Sequence, residues 1–296
     1  DEQTARYLPR FAKGAVSAFA LTEPDVGSDP ARMKTSATPV DGGQFYLLNG
    51  EKLWCTNGPA ADILIVMAQT PVTENGKEKK KITAFIVEKT MPGFEVVHRC
   101  RFMGLSGIQN GLLRFNNVKV PKENILWGIG QGLKLALITL NTGRLTLPAA
   151  STGATKWCLN VVRHWGNERV QWGGPIGKHD AIAYKIASMA ATNLAMDSVT
   201  WLSSILADQK KTDMRLEAAM AKLFCTEGSW RVVDDTVQIR GGRGYETADS
   251  LRARGEKGIP VERAMRDLRI NLIIEGTSQI MRLFIARKAM DMHLKF

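Results

Sequence analysis

Cysteine is scarce in this sequence, and its few copies lie far apart. Cys55, Cys100, Cys158 and Cys225 form no Cys-x-x-Cys pair, and the four histidines show no metal-ligand spacing. These spacings predict neither a disulfide scaffold nor a zinc site. Without a disulfide scaffold, a reducing compartment is the default expectation.

Long apolar runs are missing as well. No stretch approaches the roughly 18 unbroken apolar residues that indicate a membrane-spanning helix. No positively charged start followed by an apolar run marks a secretion signal. Residues 1–10 resemble the end of a helix that runs into a loop, so we expect the chain to begin inside a structural element.

Negative charge is in deficit, which leaves a net charge of +11 on 296 residues. Such a charge suits a polyanionic partner such as nucleic acid or a membrane surface. The basic residues are spread widely, however, so neither partner is predicted. The one dense run, Lys77 to Lys81, lies in a polar stretch between two apolar runs, and we predict a solvated hairpin tip there.

The sequence changes character near residue 130. Before it, short apolar runs are separated by Gly, Asn and Pro clusters, a pattern typical of an antiparallel sandwich or barrel. After it, apolar residues repeat at three- and four-residue steps, and a last helix is predicted from about Ser278 to His293. We therefore predict an α+β fold: an antiparallel β-barrel or sandwich, then a four-helix bundle.

Two glycine-rich loops are candidate ligand sites. Residues 128–132 (Gly-Ile-Gly-Gln-Gly) precede a predicted helix, but no strand-helix-strand unit surrounds them, which argues against a dinucleotide-binding loop. Residues 241–244 (Gly-Gly-Arg-Gly) follow a predicted helix. They either cap that helix or let backbone N–H groups approach a phosphate or a flat ring.

Three further segments have both a functional and a purely structural interpretation. Residues 21–29 form a turn-rich loop whose hydroxyls either bind a polar ligand or stabilise turns. In residues 49–58, Trp54 lies beside Thr56, where it either packs in the core or supports a planar cofactor. Before a predicted helix start, Glu275 follows an apolar run; it either acts as a desolvated base or favours the helix N-terminus.

Taken together, these motifs resemble those of the acyl-CoA dehydrogenase family. They occur in the family's order and at near-family spacing across nearly the whole chain. The matching segments are residues 20–29 (Ala-Leu-Thr-Glu-Pro-Asp-Val-Gly-Ser-Asp), 52–58 (Lys-Leu-Trp-Cys-Thr-Asn-Gly), 238–245 (Gln-Ile-Arg-Gly-Gly-Arg-Gly-Tyr), 266–270 (Arg-Asp-Leu-Arg-Ile) and 274–280 (Ile-Glu-Gly-Thr-Ser-Gln-Ile).

The resemblance implies three domains and a bound FAD. Residues 1–16 would be the remnant of an N-terminal helical domain that is mostly lacking. Residues 17–129 would form the flavin-binding β-domain, and residues 130–296 a bundle that carries the catalytic base, Glu275.

The resemblance also implies how residues contact ligands. Thr22 and Thr56 would bond to the flavin ring, Trp54 would pack by it, and Ser28 would lie near the cofactor or CoA phosphates. Arg144 and Gly276 would belong to the substrate region with Glu275, and the basic surface suits the phosphates of CoA. The remaining cofactor contacts implied by the resemblance are Thr277 and Gln279 beside Glu275 and, reaching the FAD of a neighbouring subunit, Arg169, Gln171, Trp172, Gln238, Gly241 and Gly242.

The position of the base has an internal check. Some family members carry the catalytic glutamate on the first bundle helix, just before an arginine that matches Arg144. Here Gly143 occupies that position. The resemblance therefore leaves Glu275 as the candidate.

The implied activity is FAD-dependent dehydrogenation of a fatty acyl-CoA to a trans-2-enoyl-CoA, with electrons passed to electron-transfer flavoprotein. A homodimer or homotetramer in the bacterial cytoplasm or mitochondrial matrix is expected. The alternatives are an acyl-CoA oxidase that uses oxygen and a truncated, non-catalytic FAD-binding or assembly protein.

The sequence departs from the family pattern at two places. Val26 stands where the first signature usually has a small residue. About ten extra residues, roughly 248–258, lengthen the loop after Tyr245.

Overall fold

The computed structural model describes residues 2–209 and 213–293 and contains two compact units, residues 1–139 and 140–296. The domain limits predicted from the sequence stay predictions. No helix in the described ranges is long and apolar enough to cross a membrane.

The first unit is built around one mixed β-sheet. Helix α1 (Glu2–Ala12) precedes it, and ion pairs from Arg6 and Arg10 to Glu88 tie this helix to the sheet. The strands are β1 (Ser17–Ala20), β2 (Ser36–Val40), β3 (Phe45–Thr56), β4 (Ile63–Glu74), β5 (Lys77–Glu88), β6 (Phe94–Arg99), β7 (Asn110–Pro121) and β8 (Ile125–Leu126).

The hydrogen-bonded path of the sheet runs β6-β7-β3-β2-β4-β5-β8, with β1 paired to β4. Among the described strands this path does not return on itself, so a closed barrel is not formed. The α+β class is confirmed, and an open sheet is compatible with the sandwich alternative. Strands β1 and β2 both run parallel to β4, and the other pairings in this sheet are antiparallel. The first half of β4, residues 63–68, is wholly apolar and mostly buried, as expected for a strand covered on both faces, whereas its second half is polar and partly exposed.

The predicted hairpin tip lies slightly earlier than the lysine run. Asn75 and Gly76, both with positive φ, make the two-residue turn between β4 and β5. This is the conformation that favours Asn-Gly in hairpins. Lys77 to Lys81 therefore belong to strand β5, at its solvated end, rather than to the turn.

The second unit is helical. Four long helices are described: α2 (Gly132–Glu168), of which residues 140–168 belong to this unit, α3 (Asp180–Gln209), α4 (Arg215–Arg240) and α8 (Ser278–His293), the last with the predicted bounds. The shorter elements are β9 (Val170–Gln171), β10 (Gly174–Pro175), α5 (Gly242–Tyr245), α6 (Ala248–Ala253) and α7 (Val261–Leu268). The extra residues after Tyr245 thus contain helix α6.

Buried side chains from four elements form the core of this unit. Cys158 and Val162 come from α2, Met189 from α3, Val233 from α4 and Leu268 from α7. Each such side chain contributes about 1.5–3 kcal/mol through burial. Helix α4 joins α7 in this core and also packs against α8, and these contacts position the segment that connects α7 and α8.

Candidate active site

Glu275 lies in a turn with an unusual backbone. After α7, a 3₁₀ segment (Arg269–Leu272) leads into this turn, and α8 follows at Ser278. Glu275 has φ +54° and Gly276 has φ +98°. Glycine adopts such a φ at little cost, whereas for glutamate it costs about 1–2 kcal/mol. Residues held in this way cluster at functional sites.

Two cations hold the carbonyl groups of the turn. The guanidinium of Arg144 on α2 donates to the Glu275 carbonyl oxygen at 3.2 Å, and the ammonium of Lys222 on α4 donates to the Gly276 carbonyl oxygen at 2.8 Å. Arg144 also donates to Asn141 Oδ1 at 3.1 Å and lies over the ring of Phe284. Both cations are buried, so the turn is fixed from two helices.

The carboxyl group of Glu275 is suited to accept a proton. Its Oε2 is buried and accepts no hydrogen bond from the residues described. Burial raises the pKa of this carboxyl above its usual range, while the charges of Arg144 and Lys222 partly oppose that rise. A desolvated carboxylate with a raised pKa is the form that general-base catalysis uses near neutral pH.

Gly143 leaves room for this carboxylate. A Cβ atom on Gly143 would overlap both carboxylate oxygens of Glu275. Any side chain at residue 143 would therefore displace the Glu275 carboxylate from its observed position.

Gly143→Ala is expected to reduce turnover by roughly tenfold to a hundredfold, because the Glu275 carboxylate must move away from its observed position. Alanine is about 1 kcal/mol more favourable than glycine inside a helix. The melting temperature should therefore not fall in parallel with turnover. Gly153→Ala on the same helix is the matched control, since its Cβ position is open. Equal turnover in the two variants would show that the observed carboxylate position is unimportant.

The other predicted residues near Glu275 have distinct surroundings. Thr277 caps α8: its hydroxyl accepts the Ile280 N–H at 3.3 Å. Gln279, on the first turn of α8, is exposed. The predicted group of Arg144, Glu275, Gly276 and Thr277 therefore comes together in one place. Lys222 was missed, although a lone lysine among the alanines of a helix is a signal that could have been noticed.

The predicted flavin residues of the first unit lie around a bulge. The register of β3 against β7 shifts between Lys52 and Cys55, and Trp54 within the bulge has φ +52°. Bulges redirect side chains, and the Trp54 ring is 56% exposed. Thr56 is exposed, and its hydroxyl accepts from the Asn110 amide at 2.9 Å. The loop with Thr22 is joined to the bulge by the bond from Leu53 N–H to the Thr22 carbonyl oxygen.

A buried ion pair supports this loop, and sequence reasoning missed it. Lys52 Nζ lies 2.8 Å from Glu23 Oε1, and both side chains are buried. Glu23 also accepts the backbone N–H groups of Lys34 and Thr35. Val26, the departure from the first signature, packs into a neighbouring apolar cluster. Ser28 stays in an exposed turn outside this framework.

The remaining predicted cofactor contacts lie at two loops that meet around Trp165. Arg169 and Arg240 both lie over the Trp165 ring, whose Nε1 donates to the Ile239 carbonyl oxygen. Gly241 and Gly242 follow Arg240, with open space at their Cβ positions. Gln238 lies in the last turn of α4, two residues before its end at Arg240, and is exposed.

Trp172 stands at the tip of a small hairpin. Strand β9, which contains the exposed Gln171, pairs with β10 through a turn formed by Trp172 and Gly173, both with positive φ. The Trp172 side chain is 95% exposed.

The chemistry of these residues fits FAD. An outward-facing Trp54 offers a surface for a flat ring, and the hydroxyls of Thr22 and Thr56 offer hydrogen bonds to its edge. The uncovered glycines 241 and 242 allow close approach of a phosphate or ribose. Trp172 leaves a large apolar side chain exposed at the tip of its hairpin.

Comparison with known proteins shows which family the chain resembles over its length. Residues 18–118 match the family model described as acyl-CoA dehydrogenase, middle domain, and residues 130–290 match acyl-CoA dehydrogenase, C-terminal domain. The probable acyl-CoA dehydrogenase FadE10 of Mycobacterium tuberculosis is 58% identical over 99% of this chain and 45% of its own length. The chain thus spans less than half the length of such curated relatives.

Two solved structures share the fold. Butyryl-CoA dehydrogenase from Megasphaera elsdenii is 35% identical, with a TM-score of 0.87 over 98% of this chain and 72% of that one. Acyl-CoA dehydrogenase complexed with FAD from Bacillus anthracis is 34% identical, with a TM-score of 0.86 over 99% and 51%. FAD is the cofactor of this family of oxidoreductases, whose members act in fatty acid β-oxidation and typically form oligomers. The chain belongs to the acyl-CoA dehydrogenase family.

Proposed function

We propose that this protein dehydrogenates a fatty acyl-CoA to a trans-2-enoyl-CoA, with Glu275 as the base. One observation carries the proposal: a half-buried carboxyl group with a raised pKa lies at a strained turn, held by two buried cations and facing a glycine. A glutamate whose only role was to stabilise the start of α8 would need none of these features.

The carbon next to a thioester carbonyl is a weak acid, so its proton must be removed by a well-placed base. Glu275 takes this proton, and its backbone N–H holds the thioester oxygen, on which negative charge develops. The chemistry that a bound FAD would supply is a hydride acceptor for the next carbon. Burial of Glu275 keeps water away from the carboxylate while the proton is transferred.

The residues on each unit have proposed binding roles. In the first unit, Thr22, Trp54 and Thr56 contact the flavin, and Ser28 contacts a phosphate of the cofactor or of CoA. In the second unit, Thr277 and Gln279 contact FAD near Glu275. Arg144 is proposed in the substrate region. The Arg144 guanidinium donates to the Glu275 carbonyl oxygen, so Arg144 also acts on the reaction by fixing the position of the base.

A second set of residues in the helical unit is proposed to reach the FAD of a neighbouring subunit. The exposed Trp172 and the open glycine loop support this role. The members of the set are Arg169, Gln171, Trp172, Gln238, Gly241 and Gly242. A homodimer or homotetramer in a bacterial cytoplasm or a mitochondrial matrix, with electron-transfer flavoprotein as the electron acceptor, completes the proposal.

The decisive experiment uses the protein purified as its gene encodes it, with a panel of acyl-CoA esters. Under nitrogen, a dehydrogenase reduces an artificial dye or electron-transfer flavoprotein; in air it releases little peroxide. Stoichiometric peroxide would assign an acyl-CoA oxidase instead. Bound FAD that no acyl-CoA reduces would indicate a non-catalytic FAD-binding protein, and protein without flavin would contradict the proposal.

A further inference from the structure

Lys222 is a charged residue on a buried helix face. It lies on α4 among the buried residues Ala218, Ala219, Ala221 and Cys225, and its side chain is fully buried. Taking an ammonium group out of water is costly unless its charge is compensated. A residue kept in such a position has a specific electrostatic role or a strong partner.

The contacts of Lys222 lead to the turn that carries Glu275. Its ammonium donates to the Gly276 carbonyl oxygen at 2.8 Å, next to the Glu275 carbonyl that Arg144 holds. Among the described residues, the charged groups that act on the Lys222 ammonium are Glu275 from the turn, Arg144 from α2 and Glu227 from its own helix. Glu227 is paired with Arg282 of α8 at 2.7 Å. Glu275 is therefore the carboxylate left to balance the Lys222 charge.

We infer that Lys222 is a positioning residue for Glu275: it fixes the turn through the Gly276 carbonyl and supplies a buried positive charge that favours the ionised form of the Glu275 carboxyl. The inference rests on the proposed role of Glu275 as the base. Two effects follow from one side chain, a geometric one from the N–H donor and an electrostatic one from the charge. Consistent with this arrangement, burial lowers the pKa of Lys222 to about 8, and the Glu275 carboxylate opposes that fall.

Two substitutions separate the two effects. Lys222→Met removes both the donor and the charge, whereas Lys222→Gln keeps an N–H donor without the charge. Lys156→Met is the matched control, because Lys156 lies on α2 of the same unit and pairs with Asp197 at the surface. All variants are compared with the wild-type protein, purified with its FAD.

In Lys222→Met we expect kcat for acyl-CoA oxidation to fall roughly tenfold to a hundredfold. KM should stay within about threefold, since substrate binding does not use this group directly. The acid limb of the kcat profile should move to higher pH by about one unit, because loss of a nearby positive charge raises the pKa of a carboxyl. Lys222→Gln should recover part of kcat but not the position of the acid limb.

A second measurement needs no turnover. In an infrared pH titration, the protonated-carboxyl band that disappears in Glu275→Gln belongs to Glu275. Its midpoint should rise in Lys222→Met and Lys222→Gln and stay unchanged in Lys156→Met. A merely structural lysine would alter the melting temperature without moving this midpoint.

The outcomes distinguish the inference from the proposed function. If Glu275→Gln is inactive while Lys222→Met keeps the wild-type kcat profile and infrared midpoint, the role of Lys222 is refuted and the base assignment stands. If Glu275→Gln retains full activity, the base assignment is wrong, and the infrared midpoint alone then decides whether Lys222 controls this carboxyl.

Discussion

Glu275→Gln is expected to retain FAD and lose dehydrogenation of acyl-CoA. Glutamine keeps the shape of the side chain but cannot accept the proton from the carbon next to the thioester. Loss of a general base typically costs about 10²–10⁴ in rate. Gly143, whose Cβ position overlaps the Glu275 carboxylate, carries no carboxylate that could take its place. The measurement is the rate of flavin reduction after anaerobic mixing with acyl-CoA.

The pH dependence gives this prediction a second readout. Because the pKa of Glu275 is raised, the wild-type rate should fall with acidification at a pH above that of an ordinary glutamate. The same shift has a consequence for folding: a raised folded-state pKa stabilises the fold at low pH, and this stabilisation is lost as pH rises through that pKa. Glu275→Gln should therefore be at least as stable as the wild type at neutral pH.

Activity in Glu275→Gln close to that of the wild type would contradict the base assignment. Loss of both FAD and activity would instead point to a structural effect of the substitution. Gln279→Ala is a useful comparison, since Gln279 is exposed on the same helix start and is proposed to contact FAD. It should weaken cofactor binding without removing the base.

Local sequence signals were enough to find the turn that carries Glu275. An apolar run, a Glu-Gly pair and a Thr-Ser helix start predicted where α8 begins, and the structure confirms Ser278 as its first residue. These features depend on neighbours in the chain, which is why they could be predicted. The proposal that Glu275 is the base depended on the resemblance, since the same pattern also suits an ordinary helix start.

Features that depend on distant parts of the chain were not predicted. Lys222 approaches Gly276 from 54 positions earlier, so its burial follows from packing of α4 rather than from local composition. The outward turn of Trp54 depends on the bulge of β3 against β7, which no residue pattern within β3 specifies. The lysine run was predicted to form the hairpin turn, but it belongs to the strand that follows the turn. The reason is similar: the Asn-Gly pair, not the charge, sets where the hairpin reverses.

Lys52→Met is expected to destabilise the first unit by about 3–5 kcal/mol, because it leaves the Glu23 carboxylate buried without its cation. In the wild type, burial opposes ionisation of Glu23, but the Lys34 and Thr35 N–H groups and the Lys52 ammonium outweigh it and lower the pKa of Glu23. Denaturant unfolding followed by hydrogen exchange of the β-strand amides measures the loss in this unit. Lys119→Met, which breaks the exposed pair with Asp41, should cost no more than about 1 kcal/mol.

The double variant Glu23→Gln with Lys52→Met tests the cause of that loss. It removes both buried charges, so most of the stability should return. The pH dependence must also reverse. The wild type loses the Glu23 contribution as pH falls through its lowered pKa, whereas in Lys52→Met the carboxyl takes up a proton more readily, and the deficit should shrink as pH falls from 8 to about 5. A deficit that stays constant over this range, or a double variant as unstable as the single one, would show that lost packing of the Lys52 side chain, rather than an isolated buried charge, weakens the loop that carries Thr22.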